Sequence, residues 1–224
     1  GSVKIPMVIK TAGGCIGSAA QHSQCLWGLF AHLPGMYVVV PSNPYDYKGL
    51  MASSLESDNP VIYIEHKALL LKKAETFLNG GHVPEERYTL PLGKANVVQG
   101  GSDVTLVTLS ASVEYALGAT QQLNDTSVEI IDLRSVVPLD IETVAQSVAK
   151  TGRLLVVDED YLSFGLSGEV VTRVLETLGP AALKQVMRHA VPDVPIPAAR
   201  TLEEAVVPSV ASIKGAIEKM VAHS

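Results

Sequence analysis

The sequence is short of most features that announce a simple chemistry. It contains two cysteines, Cys15 and Cys25, in 224 residues. They form no CxxC pair, so neither a redox motif nor a paired-thiolate metal knuckle is present. A disulfide between them stays open, but so few cysteines in an ordinary globular sequence give little ground for one. No Lys/Arg block stands out and the formal net charge is -6, which argues against a nucleic-acid phosphate partner. No apolar run approaches the ~18 residues of a membrane span. No charged stretch followed by an apolar run marks the N-terminus as a secretion signal. The expectation is a soluble intracellular protein without a membrane partner. Walker loop, dinucleotide fingerprint and Gly-x-Ser-x-Gly context are all missing, which disfavours nucleotide binding and serine hydrolysis.

What is there is apolar material in a regular order. Hydrophobic residues make up 47% of the chain and charged ones 18%, enough for packed cores and too little charge for disorder. Short apolar runs at 6–10, 36–40 and 61–64 alternate with helical spacing at 23–33 and 43–55. Pro34-Gly35, Pro41 and Pro60 punctuate them. Buried strands separated by helices signal parallel βαβ units. Residues 71–91 follow neither periodicity and read as a linker between domains. Beyond it the alternation resumes, with strands expected at 104–109, 128–132, 154–157 and 185–189. Helices are expected at 112–123, with Ser110 or Ser112 available as its cap, and at 140–149, 167–178 and 203–221, the last interrupted by Pro208. This is the pattern of a doubly wound α/β domain. The first block, with three strands, leaves a small sheet with two open edges, which predicts poor solubility or dimerisation.

The most informative stretch is Gly13-Gly14-Cys15-Ile16-Gly17-Ser18-Ala19-Ala20-Gln21-His22-Ser23-Gln24. It follows a strand and precedes a helix, where parallel sheets place ligand-binding residues. Its small residues let a ligand approach the backbone. His22 can exchange protons near neutral pH or hydrogen-bond a carboxylate. It can equally be a loop histidine at a helix start, with Ser23 and Gln24 available as caps.

The run from Ala19 to Cys25 resembles the histidine loop of the beta subunit in the decarboxylating component of 2-oxo acid dehydrogenase complexes, pyruvate dehydrogenase type. The likeness continues through Ala31–Met36, Val38–Pro41, Pro44–Leu50 and Asp58–Val61. It reappears in Tyr88–Ala95, Asp132–Ser135 with Pro138, Ala149–Arg153 and Pro192–Pro197. The resemblance implies an α/β chain: part of a parallel-sheet pyrimidine-binding domain over 1–75, a linker over 76–91, and a transketolase-like C-terminal domain over 92–224. It implies an oxidoreductase subunit that works with an alpha subunit in a heterotetramer containing a second beta subunit. Such an enzyme decarboxylates a 2-oxo acid and acylates the lipoyl group of a dihydrolipoyl acyltransferase. Thiamine diphosphate is shared with the alpha subunit, which holds its diphosphate through Mg2+. The site lies in the bacterial cytoplasm or the mitochondrial matrix.

By the same resemblance, His22 is catalytic, steadying the substrate carboxylate and assisting proton transfer. The likeness of its loop points to pyruvate. Family members carry a further segment ahead of Val8, which holds the glutamate facing the aminopyrimidine. The chain is thus expected to be N-terminally truncated and inactive alone, and no cofactor-binding residue can be assigned. An alternative is a non-catalytic assembly fragment that binds the alpha subunit or the acyltransferase core. Some relatives bind K+ just before the Asn-Pro turn. The matching positions are Ser54, Leu55, Ser57 and Asn59, with Ser57 where an aspartate ligand is expected.

Other polar clusters read more plainly. Asp158-Glu159-Asp160 is expected to be a solvated loop after a strand. Asp132 and Arg134 are expected to form a local charge pair. His32, His66, His82, His189 and His223 lack metal-ligand spacing and read as surface or packing residues. Trp27 suits a core or a subunit interface.

Overall fold

A computed structural model describes residues 3–222. In chain order the elements are β1 (Val8–Gly13), α1 (Ala20–Ser23), α2 (Trp27–Ala31), β2 (Tyr37–Val39), α3 (Pro44–Leu55), β3 (Val61–His66) and α4 (Lys67–Leu70). After a long irregular stretch come β4 (Asn96–Gln99), β5 (Val104–Thr108), α5 (Ala111–Thr120), β6 (Val128–Asp132), β7 (Ser135–Val137) and α6 (Ile141–Thr151). The chain ends with β8 (Arg153–Tyr161), α7 (Leu166–Leu178), β9 (Gln185–Val191), α8 (Arg200–Val206) and α9 (Val210–Ala222).

Local chemistry explains many of these boundaries. Asn43 caps α3 by accepting the Asp46 N–H at 2.8 Å, with Pro44 in the first turn. Asp140 caps α6 through Thr143 N–H, and Gly152 ends that helix in the left-handed conformation. Pro208, which has no N–H, falls in the break between α8 and α9.

The strands form two sheets. The first has the order β1-β3-β2-β7, parallel except for β7. The second has the order β4-β6-β5-β8-β9, parallel except for β4 at its edge. The three-stranded first sheet expected from the sequence is corrected. Val38 pairs with Val137 and Val39 with Ser135, so β7 crosses over from the second half and covers the β2 edge. The second half is therefore not self-contained. β1 remains at the other edge, with Val3, Ile5, Met7 and Ile9 exposed along and before it.

One apolar core runs through the seam. Trp27, Val38 and Ile62 from the first half pack in it with Val107, Ile131 and Val156 from the second. Each such side chain stabilises by about 1.5–3 kcal/mol when buried, so burial holds the seam first and its polar contacts second. The outer face of the first sheet packs Leu50 of α3 on Val39 and Tyr63. The outer face of the second packs α5 and α9.

Three further expectations change. The helix expected over 23–33 is two short helices, because Cys25 and Trp27 both turn inward and residues two apart share no helix face. Ser23 and Gln24 do not cap it, and Leu26 precedes α2 without a side-chain cap. Neither Ser110 nor Ser112 caps α5: the Ser110 hydroxyl is buried without a partner, and Ser112 bonds Glu159 instead. Asp132 and Arg134 form no side-chain pair; the Arg134 guanidinium reaches across to Asp46 at 2.5 and 3.0 Å, while Asp132 accepts the Arg134 backbone N–H and the Ser42 hydroxyl.

Candidate active site

The carboxyl end of β1 runs into six residues that cannot form a regular turn without help. Gly14 has a φ of 92°, and a Cβ there would lie 2.3 Å from Nε2 of His66, so only glycine fits. Gly17 is left-handed at 76°. Ala19 follows at φ 63° and ψ 174°, a region that side-chain-bearing residues avoid at a cost of about 1–3 kcal/mol. It starts α1, whose single turn carries His22. The His22 side chain lies in an exposed residue.

Neighbours fix this loop. The Gly17 N–H donates to both carboxylate oxygens of Glu203 on α8, each at 3.0 Å. The Cys15 thiol points at the Ser23 carbonyl at 3.7 Å. The Lys67 ammonium donates to the His22 carbonyl. Ser23 is fully buried and its hydroxyl has no partner.

Beneath the loop lies the correction that matters most. Asp158, Glu159 and Asp160 are not a solvated loop; they belong to β8 and are 0%, 4% and 6% exposed. Each ties the second half to the first. Asp158 accepts Trp27 Nε1–H at 3.0 Å and Ser167 N–H at 3.1 Å. Asp160 accepts Gly28 N–H at 3.2 Å. Glu159 pairs with His66 Nε2 at 2.8 Å and accepts the Ser112 hydroxyl at 3.1 Å. Burial, then the charge of Asp160, pushes the Asp158 carboxyl up to about 7.

Cys25, His66 and Glu159 bring one sulfur, one ring nitrogen and one carboxylate oxygen within 4.8 Å of one another. The hydrogen bonds speak against a metal there. His66 Nδ1 accepts the Ala68 N–H at 3.2 Å, which puts the ring proton on Nε2, facing Glu159. A ligating nitrogen needs a free lone pair at that atom. Burial also holds the Cys25 thiol protonated by pushing its pKa well up. The cluster is a hydrogen-bonded buried pair beside a neutral thiol.

One cleft flanks the loop and another opens on the far side of His66. The first, of about 630 Å³, is lined by Cys15, Gly17, Tyr115, Glu159, Glu203 and Ser209. Burial first, then Glu159 and Glu203, pushes the Cys15 thiol up to about 12. The other, of about 370 Å³, has apolar walls and opens at the carboxyl ends of β2 and β3, between Pro41, Tyr47, Glu65 and Leu69. Glu65 there is held by Lys10 at 3.0 Å and the Tyr47 hydroxyl at 2.5 Å.

Ser54, Leu55, Ser57 and Asn59 lie where α3 ends and turns toward β3. The Ser54 hydroxyl donates to Leu50 O at 2.7 Å, and the Ser57 hydroxyl bonds both ways with the Asn59 backbone at 3.1 Å. The Ser54 hydroxyl points back into α3 and the Ser57 hydroxyl closes the turn, and each keeps an oxygen lone pair, so the turn has backbone carbonyls and hydroxyl oxygens to offer a cation. Of the remaining histidines, His32 and His82 are exposed. His189 meets the Ser212 hydroxyl at 2.8 Å, and burial pushes its pKa down. His223 lies outside the described residues.

Comparison with known proteins places this geometry. Residues 1–72 match the pyrimidine binding domain of transketolase, and residues 93–213 match the transketolase C-terminal domain. The chain belongs to the transketolase family. Among curated members, it is 40% identical over 222 residues to the beta subunit of acetoin:2,6-dichlorophenolindophenol oxidoreductase from Cupriavidus necator, covering 98% of this chain and 64% of that protein. It is 42% identical over 179 residues to the pyruvate dehydrogenase E1 component subunit beta of Staphylococcus epidermidis, covering 79% of this chain and 53% of that protein. The chain thus spans between half and two thirds of those relatives' length. A solved split-gene transketolase, described as an inactive beta4 tetramer, has the same fold, with a TM-score of 0.78 at 23% identity over 98% of this chain and 67% of that one. Among the described residues no helix is long and apolar enough to cross a membrane.

The sequence singled out His22 and missed the residues around it. His66, Lys67, Glu159 and Glu203 are separated from it by up to 181 positions, and none lies in a motif. One signal was there: Glu65-His66 closes an apolar strand, at the end of a parallel sheet where ligands gather.

Proposed function

We propose that this chain belongs to the beta subunit of a thiamine-diphosphate-dependent dehydrogenase that decarboxylates a 2-oxo acid, pyruvate first, and passes the acyl unit to a lipoyl group. The observation that carries the reading is His22. It stands exposed on a strained strand-to-helix turn, at the carboxyl end of the parallel strands of a pyrimidine-binding domain. The proposed partners are an alpha subunit, a second beta subunit and a lipoyl-bearing dihydrolipoyl acyltransferase.

The residues fit one wall of a shared cofactor site. The loop presents small residues and an exposed imidazole, and in this reading the diphosphate and its Mg2+ are held by the alpha subunit. Thiamine diphosphate, when bound, supplies the carbanion chemistry and the electron sink. His22 supplies what a side chain can: an N–H that orients a carboxylate, and a ring nitrogen that gives or takes a proton. Lys67 holds the His22 carbonyl and so fixes where the imidazole starts from. A K+ ion at 54–59 would rest on backbone carbonyls.

Acetoin is a second substrate reading, favoured by the 40% identity to an acetoin oxidoreductase subunit over almost the whole chain. The two substrates share a two-carbon acyl product and differ in what leaves: carbon dioxide from pyruvate, acetaldehyde from acetoin.

The test uses the full-length beta subunit assembled with its alpha partner, assayed with pyruvate and with acetoin. His22→Ala should lower lipoyl acylation while thiamine diphosphate binding, read by calorimetry, stays intact. Unchanged acylation would reject the catalytic role. Wild-type assembly with no turnover of either substrate would favour a non-catalytic assembly module instead.

A further inference from the structure

We infer that Glu203, on the second domain, is a positioning residue for His22. The inference rests on the catalytic reading of His22 given above. His22 sits on α1, a helix of a single turn. One turn fixes several backbone angles for very few hydrogen bonds, so it does not persist by itself. The residue that opens it, Ala19, is strained. The direction of the imidazole is therefore imposed from outside the segment.

Three restraints do this. The His66 ring packs against Gly14. Lys67 holds the His22 carbonyl. Glu203 holds Gly17, two residues before the strained alanine, with both oxygens on one N–H. Glu203 is 6% exposed although charged. A carboxylate brought this far out of water needs a donor; the donor it has is the backbone of the histidine loop. An ionised acceptor makes this bond stronger than a neutral one. One of the three restraints, Glu203, comes from the second domain directly, and a second, His66, is itself held by that domain's Glu159. The C-terminal domain thus does more than assemble subunits: it sets the angle of the loop that carries the catalytic histidine. Glu203 reaches His22 through the backbone and touches no reacting atom.

The test again uses the full-length beta subunit with its alpha partner. Glu203→Ala should lower kcat and kcat/KM together by roughly tenfold or more, as expected when a reacting group is misplaced. Hydrogen exchange in peptides spanning residues 13–24 should quicken. Glu203→Gln keeps one acceptor oxygen and should recover most of both. Glu203→Ala added to His22→Ala should cost no further activity, because the histidine it positions is gone. A second full loss in that background would mean a general structural role and overturn the inference. If Glu203→Ala does not assemble, Glu203→Asp, one methylene short of Gly17, replaces it and should show the same two changes. Wild-type turnover and wild-type exchange in the Ala or Asp variant would overturn the inference. If His22→Ala itself leaves turnover intact, the catalytic reading fails separately, and the exchange measurement alone decides whether Glu203 braces the loop.

Discussion

Two strand-to-helix turns in this molecule use one backbone device for opposite ends. In the first sheet, β1 passes through Ala19, at φ 63°, into α1. In the second, β5 passes through Ser110, at φ 59°, into α5. Both put a residue with a side chain where glycine is at home. The first turn is held open by a distant carboxylate and presents His22 to solvent. The second is closed: residues 108–114 are all buried, and Ser112 is bonded to Glu159 in the seam. The difference teaches that strain marks a position fixed by its surroundings, and that exposure decides whether the fixed group can meet a ligand.

The widest separation between the turns should come from histidine replacements. On the proposed function, His22→Ala should cut lipoyl acylation by the assembled enzyme ~10²-fold or more and leave the melting temperature in place, since the residue is exposed. His66→Ala should do the reverse to stability, costing about 2 kcal/mol by leaving the Glu159 carboxylate buried and short of a donor. Denaturant unfolding beside the activity assay checks both, and a similar outcome for the two would break the comparison.

Asp158→Ala should be more damaging still to the seam, at about 3 kcal/mol, because Trp27 Nε1–H and Ser167 N–H both lose their acceptor inside the core. Urea midpoints give the value.

The same carboxyl predicts a pH dependence. Its folded pKa of about 7 lies above the unfolded value near 3.9. The folded chain therefore keeps a proton that the unfolded chain releases between those values. That stabilisation is complete below the unfolded pKa and is lost as pH rises through the folded one. Melts of the wild type should fall more steeply than those of Asp158→Asn between about pH 4.5 and pH 7.5; parallel curves would remove Asp158 from the account.

Smaller effects sharpen the pair of turns directly. Ala19→Gly and Ser110→Gly should each stabilise by about 1 kcal/mol, the relieved strain exceeding the entropy that glycine adds to the unfolded chain. On the proposed function, only Ala19→Gly should lower kcat, because only that turn aims the side chain proposed to be catalytic. Exchanging K+ for Na+ should have the least effect, a Tm shift of about a degree or two, through the carbonyls of the 54–59 turn.

Much of the fold was legible. Apolar runs bounded by proline marked β2 and β3, and Asn43-Pro44, Asp140 and Gly152 marked helix ends by mechanisms confined to a few residues. His22 stood out because small residues and a histidine at the end of a strand are local too. What failed, failed for a stated cause. β4 and β7 are short, and β7 pairs with a strand almost a hundred residues earlier. Asp158-Glu159-Asp160 looked solvated because three carboxylates are costly to bury; Trp27, His66 and Gly28 supply the donors that make it affordable.

The sequence alone settled the alternation of strands and helices, the ends of α3 and α6 and the turn that carries His22, because periodicity and capping act within a few residues. The tertiary structure alone decided that β7 closes the first sheet, that the β8 carboxylates lie in the seam, and that Glu203 grips the histidine loop. Those contacts join residues up to 186 positions apart, and no local pattern encodes which distant donor a buried carboxylate will find.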